Sequence, residues 1–329
     1  MKVRRRVLAV AVATVLFASA LGAQAQRGGA LPRIGVLLTT SLDGTPAALG
    51  FRDGLRELGY VEGQNVAIEW REAEGQASRF PAFAAELVRL NADVIVAAVN
   101  PAIEAARTAT KTIPIVMVNP SDPVGTGFIR SLARPGGNVT GLTYRTPEAV
   151  PKRLQLLKET IPGLSRVAVL WDATEPVRRR QVEEAERAAP KVGVHLQVLE
   201  VRSPADLEGA FAAMTRERAG AVLVEASAML AGNRARVAEL AVKSRLPTIG
   251  WFGPIADAGF LMGFGPNLRE QYRRAAYFVD RILKGAAPAD LPVEQPTTFE
   301  LIINLKTAKA LGIPIPPSVL LQADRVIEQ

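Results

Sequence analysis

Three short strings in this chain recur at a nearly constant spacing. Arg33-Ile-Gly-Val-Leu-Leu38 is answered 133 positions later by Arg166-Val-Ala-Val-Leu-Trp171. Leu58-Gly59-Tyr60 is answered by Val192-Gly193-Val194, 134 positions on, and Ile113-Pro114 by Leu246-Pro247, again at 133. The first pair consists of short apolar runs, which suit strands buried on both faces of a parallel sheet. Parallel neighbours need long crossovers, and the intervening segments carry apolar residues at helical spacing, as Leu49, Phe51, Leu55 and Leu58 do. Strands alternating with helices in each half predict two α/β lobes in tandem, each with helices on both sheet faces.

In the first half the pattern predicts strands over Arg33–Leu38, Val66–Trp70, Asp93–Val99 and Ile115–Val118. Ser78 reads as the N-cap of a helix to Leu90, and Asn100-Pro101 opens the next with Pro at its first position. In the second half, Thr146-Pro147 caps a helix to about Thr160, and a charged helix runs from Glu175 to Ala189. Ser203 caps a helix to Arg216, and a further helix spans Ala231–Ser244. Strands fall at Arg166–Trp171, Val194–Val201, Ala221–Glu225 and Pro247–Trp251. Between the halves, the breaker cluster Arg134–Asn138 precedes a strand over Val139–Tyr144, and 136–144 is expected to be the first crossover. Asn267 with Glu270 makes a capping-box-like helix start, and Phe299–Asn304 reads as a late strand. The tail is expected to cross back and return, so that one lobe takes 31–144 plus about 267–290 and the other 145–266 plus about 291–329.

Residues 1–25 read as an export signal. Lys2, Arg4, Arg5 and Arg6 form a basic start, Val7–Leu21 an apolar run, and Ala23-Gln24-Ala25 a cleavage site. The chain contains no Cys, which excludes disulfides, thiolate nucleophiles, Cys-type metal sites and a lipid-modified N-terminal Cys. A periplasmic, untethered monomer is expected. Of the formal net charge of +8, four positives lie in the signal, leaving +4, and no basic run is interleaved with aromatics, so nucleic acid is excluded as a partner. Arg178-Arg179-Arg180, followed by Glu183, Glu184 and Glu186, reads as a solvated helix face. The single His195 falls near the start of a strand, away from any strand-end site. No nucleophile elbow, phosphate loop or metal spacing occurs, so no catalytic residue, metal or cofactor is expected.

In open parallel sheets, ligands bind beyond the carboxyl ends of the strands. That rule selects Thr39, Thr40, Ser41, Asp43, Asn100, Pro101, Asn119, Ser121 and Asp122 in the first half. In the second it selects Trp171, Asp172, Glu225, Trp251 and Phe252, with Tyr144 near the hinge. A polar rim facing an aromatic wall suits a small zwitterionic or apolar-tailed ligand. Glu225, a carboxylate ending an apolar strand, requires a partner such as a ligand amine or a nearby Arg.

Ser131-Leu-Ala-Arg-Pro-Gly-Gly-Asn-Val-Thr-Gly141 resembles a signature of ABC-transporter substrate-binding proteins. Phe51–Asn65, Pro288–Thr297 and Ile303–Gly312 resemble the same family, so the likeness runs through nearly the whole chain after the signal. It implies a type I periplasmic-binding-protein fold, two Rossmann-like α/β/α lobes joined by three hinge crossovers. It also implies a small-molecule ligand, an amino acid or related compound, captured by hinge closure and delivered to a membrane ABC permease. Some relatives are associated with aromatic amino acids. Where relatives often carry Gly-Thr or Gly-Ser before the Pro at the third strand's end, this chain has Asn100-Pro101. The alternatives are a ligand-sensing periplasmic subunit for a receptor, and an enzyme using Asp122, Glu225 or Asp172 as acid or base.

Overall fold

The computed structural model describes residues 31–39, 44–144 and 149–328, with the side chain of Val177 left aside. The expected signal at 1–25, the cap Thr146-Pro147 and the candidate residues Thr40, Ser41 and Asp43 lie outside the described residues.

The first lobe is built from β1 (Arg33–Leu38), α1 (Pro46–Glu57), β2 (Ala67–Glu72), α2 (Phe80–Arg89), β3 (Val94–Ala98), α3 (Val99–Ala109), β4 (Ile115–Val118) and β5 (Val139–Leu142). Its five strands are all parallel in the order β2-β1-β3-β4-β5. The second lobe opens with α4 (Ala149–Thr160), β6 (Arg166–Asp172), α5 (Arg179–Val192), β7 (His195–Val201), α6 (Asp206–Arg216) and β8 (Ala221–Val224). It continues through α7 (Ala228–Gly232), α8 (Arg234–Lys243), β9 (Thr248–Gly250) and β10 (Met262–Pro266). After α9 (Leu268–Leu283) come β11 (Phe299–Asn304), α10 (Leu305–Leu311), α11 (Pro317–Leu320) and β12 (Arg325–Ile327). The second sheet runs β12-β11-β10-β9-β8-β6-β7. Its segment β7-β6-β8-β9-β10 matches the first sheet strand for strand, and β11 then adds antiparallel to β10. The repeat in the sequence is therefore a repeat of topology.

Alternation along each strand feeds a separate core on each face, as the two-residue strand period requires. Ile34, Val36 and Leu38 of β1 join Phe51 of α1 and Tyr272 and Phe278 of α9. Leu37, on the other face, joins Phe80 and Leu87 of α2 and Ile103 of α3. In β6, Val167, Val169 and Trp171 pack with α4 and α5, while Ala168 and Leu170 pack with α6 and α8. Helix α9 follows a strand of the second sheet but packs on the first lobe, where Arg269 and Arg273 pair with Asp53 and Glu57 of α1 at 2.6 and 2.9 Å.

Several expected boundaries shift, each for a local reason. The strand expected over Val139–Tyr144 is present but stops at Leu142, and besides leading into the crossover it is the edge strand of the first sheet, paired along β4. Ser78 lies inside a 3₁₀ turn, Ala77–Arg79, and caps nothing. Helix α3 begins at Val99, so Pro101 is its third residue, where the missing N–H is still one with no intrahelical acceptor. The charged helix starts at Arg179 after a 3₁₀ turn over Pro176–Arg178. Ser203 does not cap the helix, which begins at Asp206 after Ala205 without a side-chain cap; the Asp206 carboxylate instead reaches back to accept the Arg202 and Ser203 backbone N–H groups at 2.8 Å each. The helix expected over Ala231–Ser244 is two helices meeting at Asn233, with Ser227 Oγ accepting from Leu230 N at 3.0 Å to start the first.

The crossovers are cross-braced. Thr143 N donates to Glu294 O and Glu294 N to Gly141 O, at 2.9 and 3.0 Å, tying the first connection to the third. Asn267 caps α9 through Glu270 N at 3.0 Å, as expected, and donates from Nδ2 to Glu300 on β11 at 2.9 Å, tying the second to the third. Burial, reinforced by Asp324 and Asp257, pushes the Glu300 carboxyl from 4.5 up to about 7 against the opposing pull of Arg325. The folded chain thus holds this proton more tightly than the unfolded chain between those two pH values, so its contribution to stability declines as pH rises through that window. Glu300→Gln is expected to abolish that decline and to be the more stable protein at pH 8, by on the order of 1–2 kcal/mol after allowance for partial exposure. Melting curves of both proteins at pH 4.5 and 8 test it; parallel shifts would exclude Glu300 as the source.

Candidate functional site

The lobes meet near the carboxyl ends of their sheets, through Asp122 with Arg180 and Gly75 with Gly232. In the first lobe, Thr39 follows β1, and its hydroxyl is buried without a hydrogen-bond partner. Asn100 and Ser121 exchange two hydrogen bonds, Asn100 Nδ2 to Ser121 Oγ at 3.1 Å and Ser121 N to Asn100 Oδ1 at 3.0 Å. This lock joins the start of α3 to the loop after β4. Beside it, Val99 and Asn119 hold positive φ angles of 62° and 59°. A β-branched residue in that region is strained, and such strain is retained where the surroundings over-determine it. Asn119 also buries its Oδ1 without a partner. Pro101 sits half-buried next to the lock. Asp122 is committed elsewhere: Oδ1 accepts Gly125 N at 2.9 Å, and Oδ2 pairs with Arg180 of the opposite lobe.

The second lobe supplies a buried ionic cluster. Glu225, immediately past β8, is 1% exposed, and its Oε2 accepts from Arg153 Nη1 at 3.4 Å. Arg153, on α4, is fully buried and also donates to Ala149 O at 3.3 Å and Tyr144 Oη at 3.2 Å. Every arm of that guanidinium has a partner, which is what a buried charge requires. Burial pushes the Tyr144 hydroxyl up, so it stays protonated. The Tyr144 ring meets Phe252 edge-on at 5.5 Å. Trp251 packs edge-on against Phe260 in the core, whereas Trp171 at the end of β6 buries an indole N–H with no partner. Asp172 is 2% exposed and accepts from Thr174 N and Oγ1 at 2.9 and 2.6 Å.

The arginine triplet is a solvated face only in part. Arg179 and Arg180 are largely solvated and charge-paired, Arg179 with Glu186 at 3.1 Å. Arg178 is 1% exposed and donates from Nε to Glu175 at 2.9 Å, while Glu175 in turn accepts from Ala228 N at 3.3 Å. Arg180 crosses the cleft to Asp122. Arg178 Nη2, Gln181 Oε1 and Glu225 Oε1 are buried without partners. Arg153, Glu175, Arg178 and Gln181 were missed because a helical charge pattern does not say which side faces a second lobe. His195 is exposed in β7 at the far end of the sheet, as its position implied.

Between Gly75 and Gly232 the lobes touch through bare backbone. A Cβ placed on either Gly75 or Gly232 would lie 2.6 Å from the Cα of the other. Gly75 follows β2 in the first lobe, and Gly232 ends α7 in the second. No side chain fits between them. Buried donors and acceptors without partners thus fall at the strand ends of both lobes, Thr39 and Asn119 in the first and Trp171, Arg178, Gln181 and Glu225 in the second.

Comparison with known proteins agrees. A structure from Vibrio cholerae O1 biovar El Tor strain N16961, described as a conserved domain protein, shares 29% identity and a TM-score of 0.82, covering 90% of this chain and 100% of that one. An ABC domain from Streptococcus pneumoniae solved in complex with L-Trp shares 30% identity and a TM-score of 0.82 over 91% of this chain and 100% of its own. A tyrosine-binding protein of Clostridioides difficile strain R20291 is 27% identical over 267 residues, 81% of this chain and 76% of the relative. The family model for ABC transporter substrate binding proteins matches residues 33–327. With two type I lobes around one cleft, the chain belongs to the ABC transporter substrate-binding protein family.

Proposed function

We propose that this protein captures an L-amino acid with an aromatic side chain between its lobes and hands it to an inner-membrane ABC permease from the periplasm. The observation that carries the ligand class is the set of buried, unpartnered polar atoms at facing strand ends. Thr39 and Asn119 lie on one side; Trp171, Arg178, Gln181 and Glu225 lie on the other. Leaving such groups unpaired costs roughly 1–3 kcal/mol each, a cost that a polar ligand relieves. Tyr144, Phe252 and Trp171 supply aromatic surface beside them. Relatives solved with L-Trp or named for tyrosine support the same class. Capture proceeds by closure about the crossovers near 144, 267 and 291, the protein acting as a monomer without catalysis.

Thermal shift against the twenty amino acids, nucleosides and small organic acids tests the class, since a ligand that binds only the folded state raises the melting temperature. L-Trp or L-Tyr at a hundredfold excess over Kd is expected to add about 2.7 kcal/mol of apparent stability. Small-angle scattering should then show a more compact particle. Stabilisation by nucleosides or organic acids alone would overturn the proposal, and an unchanged scattering profile would overturn closure.

A further inference from the structure

We propose that Arg178 and Glu225 divide the recognition of the solute's two charges, Arg178 Nη2 taking the carboxylate and Glu225 Oε1 the ammonium. This assignment rests on the amino-acid reading above. Of the two arginines buried among the described residues of the second lobe, Arg153 donates to Ala149, Glu225 and Tyr144, and so is fully engaged within the protein. Arg178 is equally buried, yet it is anchored through Nε alone, on Glu175, and its Nη2 has no partner. Glu225 has the same division: Oε2 is held by Arg153 and Oε1 is unpartnered.

Each group therefore has one arm that fixes its orientation and one arm left for a ligand of opposite charge. A guanidinium donating through two separate nitrogens keeps its plane fixed by the protein contact, which pre-organises the remaining N–H groups. The anchors are themselves anchored. Glu175 bridges Arg178 to the backbone of Ala228 at the start of α7, so the Arg178 head is tied to the loops after both β6 and β8. Glu225 lies directly after β8, which places both charges on neighbouring strand ends. A zwitterion satisfies one donor and one acceptor together. A molecule with a single charge leaves one of these groups desolvated and unpaired, so the site discriminates by penalty as well as by attraction.

Binding is measured by calorimetry on the full mature protein with L-tryptophan, tryptamine and indole-3-propionate, and with L-tyrosine and tyramine. Wild type is expected to prefer each amino acid over its amine by tenfold or more. Arg178→Met should weaken the amino acids by roughly ten- to a hundredfold, the size of a buried charged hydrogen bond, while tryptamine and tyramine bind as they do to wild type. Glu225→Gln should weaken the amino acids and leave indole-3-propionate unchanged. Arg178→Lys keeps the charge but cannot serve Glu175 and a ligand together, and its expected loss is intermediate; it stands in if the Met variant does not fold. Equal losses for amino acid and amine would reduce Arg178 to a structural role, and full affinity in the variant would overturn the assignment outright. A wild type that binds none of these amino acids condemns the broader reading as well.

Discussion

Arg153→Met is expected to destabilise the protein by about 3–5 kcal/mol, the cost of stranding a buried charge. Glu225 is 1% exposed, and Arg153 is its hydrogen-bonding partner on the protein side. Burial opposes the charge on Arg153 more than any other single effect, but attraction and hydrogen bonding to Glu225 tip the balance, so the guanidinium is held charged. Removing the guanidinium leaves a carboxylate with neither water nor counter-charge, and Tyr144 loses its partner at the hinge. The melting temperature should fall by about 10 °C for a domain of this size. The double variant Arg153→Met with Glu225→Leu separates the causes. Replacing both partners by apolar groups is often close to neutral, so the double variant should recover more than half of the loss. A double variant no better than the single would assign the loss to packing.

Gly232→Ala is expected to weaken solute binding by tenfold or more without harming the fold. Gly232 lies within α7 and outside the positive-φ set, so a methyl group there costs nothing locally and favours the helix by up to about 1 kcal/mol. The same methyl would stand 2.6 Å from Gly75 Cα, where carbon atoms need roughly 3.5–4 Å. The lobes must then part at this contact by on the order of 1 Å, and the closed state becomes a smaller share of the population. The ligand-free melting temperature should hold or rise while affinity falls, and scattering with saturating solute should show a wider particle than wild type. Gly75 is the poorer site for this test, because its φ of 77° would strain any side chain. An unchanged affinity in Gly232→Ala would show that the seam opens without consequence.

The apolar runs at 33–38 and 166–171, repeated at one spacing, were enough to determine two parallel α/β lobes, because burial on both faces of a strand leaves a mark in every one of its residues. Candidate residues at the strand ends followed from the same topology, and the structure buries Asn100, Asn119, Ser121, Trp171 and Glu225 and joins Asn100 to Ser121. Tertiary contact alone decided the rest. Arg178, Arg179 and Arg180 are chemically identical, yet one is buried, one is solvated and one reaches across to Asp122. Gly75 and Gly232 are 157 positions apart and mean nothing singly; only the approach of two backbones leaves no room for a side chain at either. Helix α9 carries the apolar face of any amphipathic helix, and nothing within it says that its partner is α1 rather than the strand it follows. Periodicity records which residues leave water, whereas the partner they meet is a property of two surfaces at once. The cleft, made of two such surfaces, is therefore the part of this protein that its sequence outlined and only its folded form assembled.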